Sequence, residues 1–175
     1  MIYRIASKDD LNEILIMKNK VKQRIIKQNL PMWLNGYPLD EYIIEDINCN
    51  EGRVIEIDGK IVSYACFHHA TKEYCNGVFK KDNVMSFGRL MVNDGYVGKH
   101  IGDFMVKSML EEAKLLNVDG VGILADDFNV KAMNLYKKYG FEIEGARQFP
   151  YAYLTILPFS MSNNTHFEEA LATRV

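Results

Sequence analysis

Residues 120–124 read Gly-Val-Gly-Ile-Leu, a short run without a polar side chain. A run of this kind belongs in the middle of a sheet covered on both faces. An amphipathic stretch flanks it on each side. Upstream, Ile101, Met105, Met109, Ala113 and Leu116 share one face of a helix predicted over 100–116. Downstream, Ala132, Leu135 and Tyr136 share a face of a helix predicted over 130–139, and Gly140 is placed to end it. Strand and helix alternate through this half of the chain, which predicts a partly parallel sheet.

The first half is patterned differently. Residues 2–6 alternate as a strand, and Ser7 with Asp10 has the spacing of a capping box. Leu11, Ile14, Leu15, Ile25 and Ile26 carry a helix to about residue 28. A change of phase between Met17 and Val21 predicts a break or a second helix there. Residues 29–38 hold Pro31, Gly36 and Pro38 and read as a loop, and a short helix follows from Asp40. Strands 53–57 and 61–70 are joined at Asp58-Gly59, a strong hairpin signal. A polar stretch, 71–83, leads to strand 84–92, and strands 141–146 and 151–157 complete the set. The order β-α-α-β-β-β-α-β-α-β-β predicts an α/β chain with a mixed sheet, antiparallel early and partly parallel late. One domain over 1–158 is expected, with 159–175 a tail that is disordered or docks on a neighbour.

Charge and cysteine usage remove several classes of function. With 21 Lys and Arg against 23 Asp and Glu, the net charge is -2, so no basic field attracts nucleic acid. The apolar runs are too short to span a bilayer, and the N-terminus lacks the basic-then-apolar order of a secretion signal. Cys49, Cys66 and Cys75 are odd in number and widely spaced, with no Cys-x-x-Cys metal knuckle. A reducing, cytoplasmic location without disulfides or a bound metal is the expectation.

Chemistry concentrates in Asn-Val-Lys-Ala-Met-Asn-Leu-Tyr-Lys-Lys-Tyr-Gly-Phe-Glu-Ile-Glu-Gly, residues 129–145. Periodicity alone gives an amphipathic helix, a glycine cap and a strand. The wording resembles the closing motif of the GNAT family of N-acetyltransferases, in which an Asn leads a helix ending in Leu-Tyr-x-x-x-Gly-Phe. It follows a strand, a glycine-containing loop and helix, and an earlier strand carrying Arg-Leu-Met-Val. Residues 32–47, Met-Trp-Leu-Asn-Gly-Tyr-Pro onward, also resemble a bacterial branch with Trp-x-x-Gly-Tyr-Pro before its second helix. The resemblance covers about residues 2–157 and is strongest from 87 to 145.

The resemblance implies the GNAT fold, a mixed sheet of about seven strands with helices on both faces and a splayed parallel strand pair. It implies acetyl-CoA as cosubstrate and an amine as acceptor. The backbone of Leu90, Met91 and Val92 would then pair with the amide chain of pantetheine and hold the acetyl carbonyl. The pyrophosphate would lie on the loop and helix start formed by Gly98, Lys99, His100, Ile101, Gly102 and Asp103. Tyr136 matches the family's general acid, with packing of the helix as its plainer role. Asn129 matches the residue that bonds pantetheine or orders water, and also suits a helix N-cap.

Two departures from the family pattern stand out. The loop pattern is Arg or Gln, two residues, Gly, one residue, then Gly or Ala. Here Val97 removes a side-chain donor, His100 puts a Cβ and a ring where bare backbone is expected, and only Gly102 fits. The strand equivalent to 84–92 carries Ser86, Gly88 and Arg89 but no acid, which leaves Glu45, His68 and His69 as base candidates. Glu41, Glu45 and Asp46 read as a solvated helix face or as contacts for a cationic substrate. Trp33, Tyr37, Tyr42, Phe149 and Tyr151 suit either an acceptor wall or a core beneath a loop. The same fold used as an acyl-CoA sensor is the alternative to an enzyme. The tail and late strands are candidates for pairing across a homodimer.

Overall fold

The computed structural model describes residues 1–33, 36–70, 81–126 and 129–143, and the backbone of 145–149 and 152–160. Residues 161–175 of the predicted tail, residues 71–80 of the polar stretch, Phe149's side chain and Tyr151 lie outside the described residues. Among the described residues seven strands are present, β1 (Ile2–Ile5), β2 (Gly52–Ile57), β3 (Lys60–Ala70), β4 (Val84–Val92), β5 (Gly120–Asp126), β6 (Gly145–Phe149) and β7 (Ala152–Ser160). The helices are α1 (Leu11–Lys27), α2 (Asp40–Asn48), α3 (Ile101–Leu115) and α4 (Val130–Lys138). The chain divides into two compact units, Met1–Phe67 with Gly88–Ser108, and His68–Phe87 with Met109–Val175.

In the first unit, β1 pairs antiparallel with β2, and β2 with β3. The β2–β3 hairpin turns through Asp58 and Gly59 at φ 49° and 72°, the left-handed pair that the Asp-Gly signal predicts. Its core joins Ile14, Met17, Val21 and Ile25 of α1 to Ile43 and Ile47 of α2 and to Met91 of β4. The break predicted in α1 does not occur, and the helix runs unbroken from Leu11 to Lys27. Its buried stripe is Ile14, Met17, Lys18, Val21 and Ile25, so a lysine occupies the position where the apolar pattern lapses. Lys18 is 4% exposed and pairs with Asp40 in the first turn of α2.

In the second unit, β4 pairs parallel with β5, and β5–β7 and β7–β6 are antiparallel. The sheet is therefore mixed, as the element order predicts. Strand β6 begins at Gly145 rather than at Phe141, and β7 runs on to Ser160. The late start of β6 follows from how α4 ends. Gly140 takes φ 79°, its N–H bonds the Lys137 carbonyl (3.0 Å), and the Phe141 N–H bonds the Tyr136 carbonyl (3.2 Å). This is a Schellman closure, and the Phe141 ring packs back on Tyr136 at 5.9 Å between centroids. Phe141 is thus part of the helix stop.

At the β1–α1 junction the Asp10 carboxylate accepts from Arg4 Nη1 and Nη2, both at 2.8 Å, and from the Ser7 N–H (2.7 Å) and Oγ (2.9 Å). Arg4 also bonds Glu56 of β2 (3.0 Å). The capping box is present, with Asp10 also tied to the sheet. The Arg4 hydrogen bonds, assisted by those from Ser7, hold the Asp10 carboxyl at about 2 against an ordinary 3.8. Because the folded value is depressed, its stabilisation is complete above the ordinary value and is lost as pH falls toward about 2.

Asp10→Asn is expected to lower stability by about 2 kcal/mol at neutral pH in denaturant titrations. The gap to wild type should close in the acid range between about 4 and about 2. Gly140→Ala should cost about 1 kcal/mol in the same assay, because a Cβ is strained at this left-handed position.

Candidate functional site

Strand β4 changes character along its length. Its parallel register with β5 runs Val84↔Gly120 to Phe87↔Ile123, and the strand continues through Gly88–Val92. A Cβ added at Gly88 would meet no heavy atom within 4 Å. Arg89 has φ 54°, a left-handed backbone inside a strand. Beyond it, Met91 is buried in the first unit's core, while Leu90 and Val92 are half-buried. Ser63 Oγ donates to the Met91 carbonyl (2.6 Å), and Arg24 Nη2 donates to the Val92 carbonyl (3.2 Å). Arg24 also pairs with Asp94 in the turn that follows, so α1 braces the end of β4.

The chain then makes one 3-10 turn, Asp94–Tyr96, and an exposed loop over 97–100 before α3. Gly98 takes φ 83° and His100 takes φ 60°. His100 therefore stands at a glycine-favouring position, in keeping with the expectation of bare backbone there. The Phe104 N–H bonds the His100 carbonyl (2.9 Å), which makes His100 the residue that caps α3. The first-turn N–H groups of Ile101, Gly102 and Asp103 have no carbonyl one turn back within the helix. Ile101 is buried and anchors the turn, while Lys99 is exposed with Nζ 5.2 Å from the Tyr96 ring centroid. Asp103 is 9% exposed and sits where the helix dipole favours a carboxylate.

Helix α4 carries Asn129 and Tyr136 in the second unit. Asn129 is the N-cap, with Oδ1 accepting from the Ala132 N–H (3.2 Å). Tyr136 is 4% exposed, and its ring lies 5.5 Å from that of Phe87. Phe87, Tyr136 and Phe141 make mutual edge or tilted contacts. Burial pushes the Tyr136 phenol above its ordinary pKa, so the hydroxyl keeps its proton at neutral pH. The remaining predicted residues, Leu90–Val92 and Gly98–Asp103, all belong to the first unit.

The base candidates separate. Glu45 is exposed on α2. His68 Nδ1 donates to the His69 carbonyl (3.1 Å), and the exposed His69 bonds Asn83 Oδ1 through Nε2 (3.0 Å). Asp46 corrects the reading of α2 as a solvated acidic face, because it is 4% exposed. Its carboxylate takes Arg89 Nε at 2.9 Å and Arg89 Nη2, and the Tyr64 hydroxyl at 2.5 Å. The signal was available in the spacing: Ile43, Asp46 and Ile47 share the buried helix face. Burial and the Asp46 charge raise the Tyr64 pKa, so its hydroxyl donates.

Cys66 and Glu51 lie beside this group, and together with Asp46 they place ligand atoms within 4.8 Å of one another. Burial raises the Cys66 pKa and keeps the side chain a neutral thiol. Trp33, Tyr37 and Tyr42 form a ring chain, with centroids 6.4 Å and 6.0 Å apart, and Trp33 packs on the first unit's core.

Solved structures with this arrangement are numerous. A GNAT-family acetyltransferase from Streptococcus agalactiae superposes with a TM-score of 0.81 at 17% identity, covering 93% of this chain and 96% of that one. An N-acetyltransferase from Staphylococcus aureus gives 0.68 at 19%, covering 91% and 97%. A ribosomal-protein-alanine N-acetyltransferase from Brucella melitensis gives 0.68 at 19%, covering 92% and 100%. A comparison with curated proteins finds no match. At these identities the structures speak for the fold. The family model described as acetyltransferase (GNAT) family matches residues 23–141, from the last turns of α1 through the helix stop of α4. The chain belongs to the GNAT acetyltransferase family.

Proposed function

We propose that this protein transfers the acetyl group of acetyl-CoA directly to the amine of a small molecule or peptide. The observation that carries the reading is the exposed turn that opens α3. Gly98 and His100 hold left-handed backbone there, and the first-turn N–H groups of a 15-residue helix point into it. Backbone donors and the helix dipole suit a pyrophosphate without any special side chain. Lys99, exposed beside Tyr96, adds a mobile positive charge. The open side of Gly88 and the half-buried Leu90 and Val92 suit an amide chain laid along β4.

Acetyl-CoA would supply a thioester carbonyl activated toward amines. The backbone of Leu90–Val92 would hold that carbonyl as negative charge builds on its oxygen. As the new C–N bond forms and the C–S bond breaks, Tyr136 donates to the departing sulfur, and the amine's surplus proton leaves to water. Burial keeps the Tyr136 phenol protonated, so in this reading it gives a proton and does not take one. Asn129 uses Oδ1 as a cap, which leaves its amide nitrogen for pantetheine. An acyl-CoA sensor remains the second reading, on one observation. The buried carboxylate that contacts β4, Asp46, is committed to Arg89 and Tyr64 and does not serve as a base.

Thiol release from acetyl-CoA with a panel of polyamines, peptides and amino acids tests the reading. Turnover with at least one amine is expected, and CoA binding without any turnover would favour the sensor. Nucleotide binding without CoA binding would exclude both. Tyr136→Phe is expected to lower kcat by about a hundredfold while CoA affinity stays within about threefold of wild type. His100→Gly relieves left-handed strain and should leave CoA affinity equal or tighter. A large loss of affinity would make the imidazole a phosphate ligand.

A further inference from the structure

We infer that Arg89 is a positioning residue, whose paired guanidinium holds β4 in the left-handed turn that aims the Leu90–Val92 backbone at the acetyl carbonyl. The inference rests on the acetyl-CoA reading given above. An arginine at φ 54° gives up about 1–2 kcal/mol relative to ordinary strand backbone. Gly88, one residue earlier, would adopt such a conformation freely. The turn persists at Arg89 because the side chain is fixed from several directions.

Its fork meets one carboxylate through two nitrogens, Nε at 2.9 Å from Asp46 Oδ2 and Nη2 on Oδ1. That carboxylate is anchored in turn. Asp46 lies between Ile43 and Ile47 on the buried face of α2 and accepts from Tyr64 of β3 at 2.5 Å. Arg89 Nη1 stands 3.5 Å from the Tyr37 hydroxyl, which extends the group to the segment before α2.

A buried ion pair of this kind is a poor source of net stability, since apolar replacements often do as well. Its distinctive product is geometry, because a planar fork on a carboxylate fixes direction as well as distance. A left-handed residue inside a strand marks a bulge, and a bulge re-aims the groups that follow it. The groups that follow Arg89 are Leu90, Met91 and Val92. Lysine would keep the charge and lose the fork. Methionine would keep the apolar stem and lose the charge.

The test reads the carbonyl itself. Acetyl-CoA carrying carbon-13 at the carbonyl is bound to wild type, Arg89→Lys, Arg89→Met and Asp46→Asn, and its infrared stretch is recorded. Coenzyme A affinity is measured in parallel by calorimetry. In wild type the band should fall below that of free acetyl-CoA, because donors polarise the bond. In all three variants it should return toward the free position, with coenzyme A affinity within about threefold of wild type. A wild-type band in any folded variant overturns the inference. So does a coenzyme A affinity that falls in step with the band, since that makes Arg89 a general support. If Arg89→Met fails to fold, Arg89→Lys and Asp46→Asn decide. Wild type that binds neither ligand removes the acetyl-CoA reading itself, an outcome distinct from a variant that keeps the wild-type band.

Discussion

A backbone that turns left-handed in the middle of a strand must be held there, and in this protein the hold is one guanidinium on one buried carboxylate. The residues just after it, Leu90 to Val92, take their direction from that point. Met91 enters the first unit's core, the Val92 carbonyl is met by Arg24, and Asp94 is paired to the same arginine. The turn, the exposed loop and α3 then follow without another strand to orient them. The helix start proposed to receive phosphate thus depends on contacts made by α1 and α2, elements that carry no proposed cofactor residue.

The molecule uses two charged clusters for different ends. Arg4 and Glu56 are partly exposed and flank the buried Asp10, and together they tie β1 to the start of α1 and to β2. Asp46 and Arg89 are shielded from water, so each requires the other, and losing either leaves a charge without a partner. The first cluster is tuned by acid. The second is set by shape, and its tyrosine and cysteine neighbours are both held in their neutral forms by burial.

Much of this fold is legible in the sequence because local signals and long-range packing agree. Asp58-Gly59 demands a left-handed turn, and the hairpin supplies it. The Leu-Tyr-x-x-x-Gly-Phe run encodes a helix, its stop and the ring that seals the stop, all within one short segment. Two of the failures share a physical cause, which is polar residues on buried faces. Lys18 interrupts an apolar stripe and so imitates a helix break, although its stem is buried and its charge reaches Asp40. Asp46 looks solvated by composition, yet its partner lies 43 residues further along the chain, a pairing that no local pattern encodes. His100 is the intermediate case. The family pattern marks the position as one for bare backbone, and the φ angle agrees, although a histidine stands there.

The protected Cys66 thiol gives this architecture a clock. It sits at 1% exposure beside Asp46, while Cys49, at the end of α2, is open to solvent. A thiol reagent therefore meets the two at very different rates, and Cys66 reacts only during excursions that open the first unit. The ratio of its labelling rate to that of an open thiol measures the free energy of those excursions, without denaturant and without substrate. The carboxylate that fixes the strand thus has a neighbour that records how often the packing around it gives way.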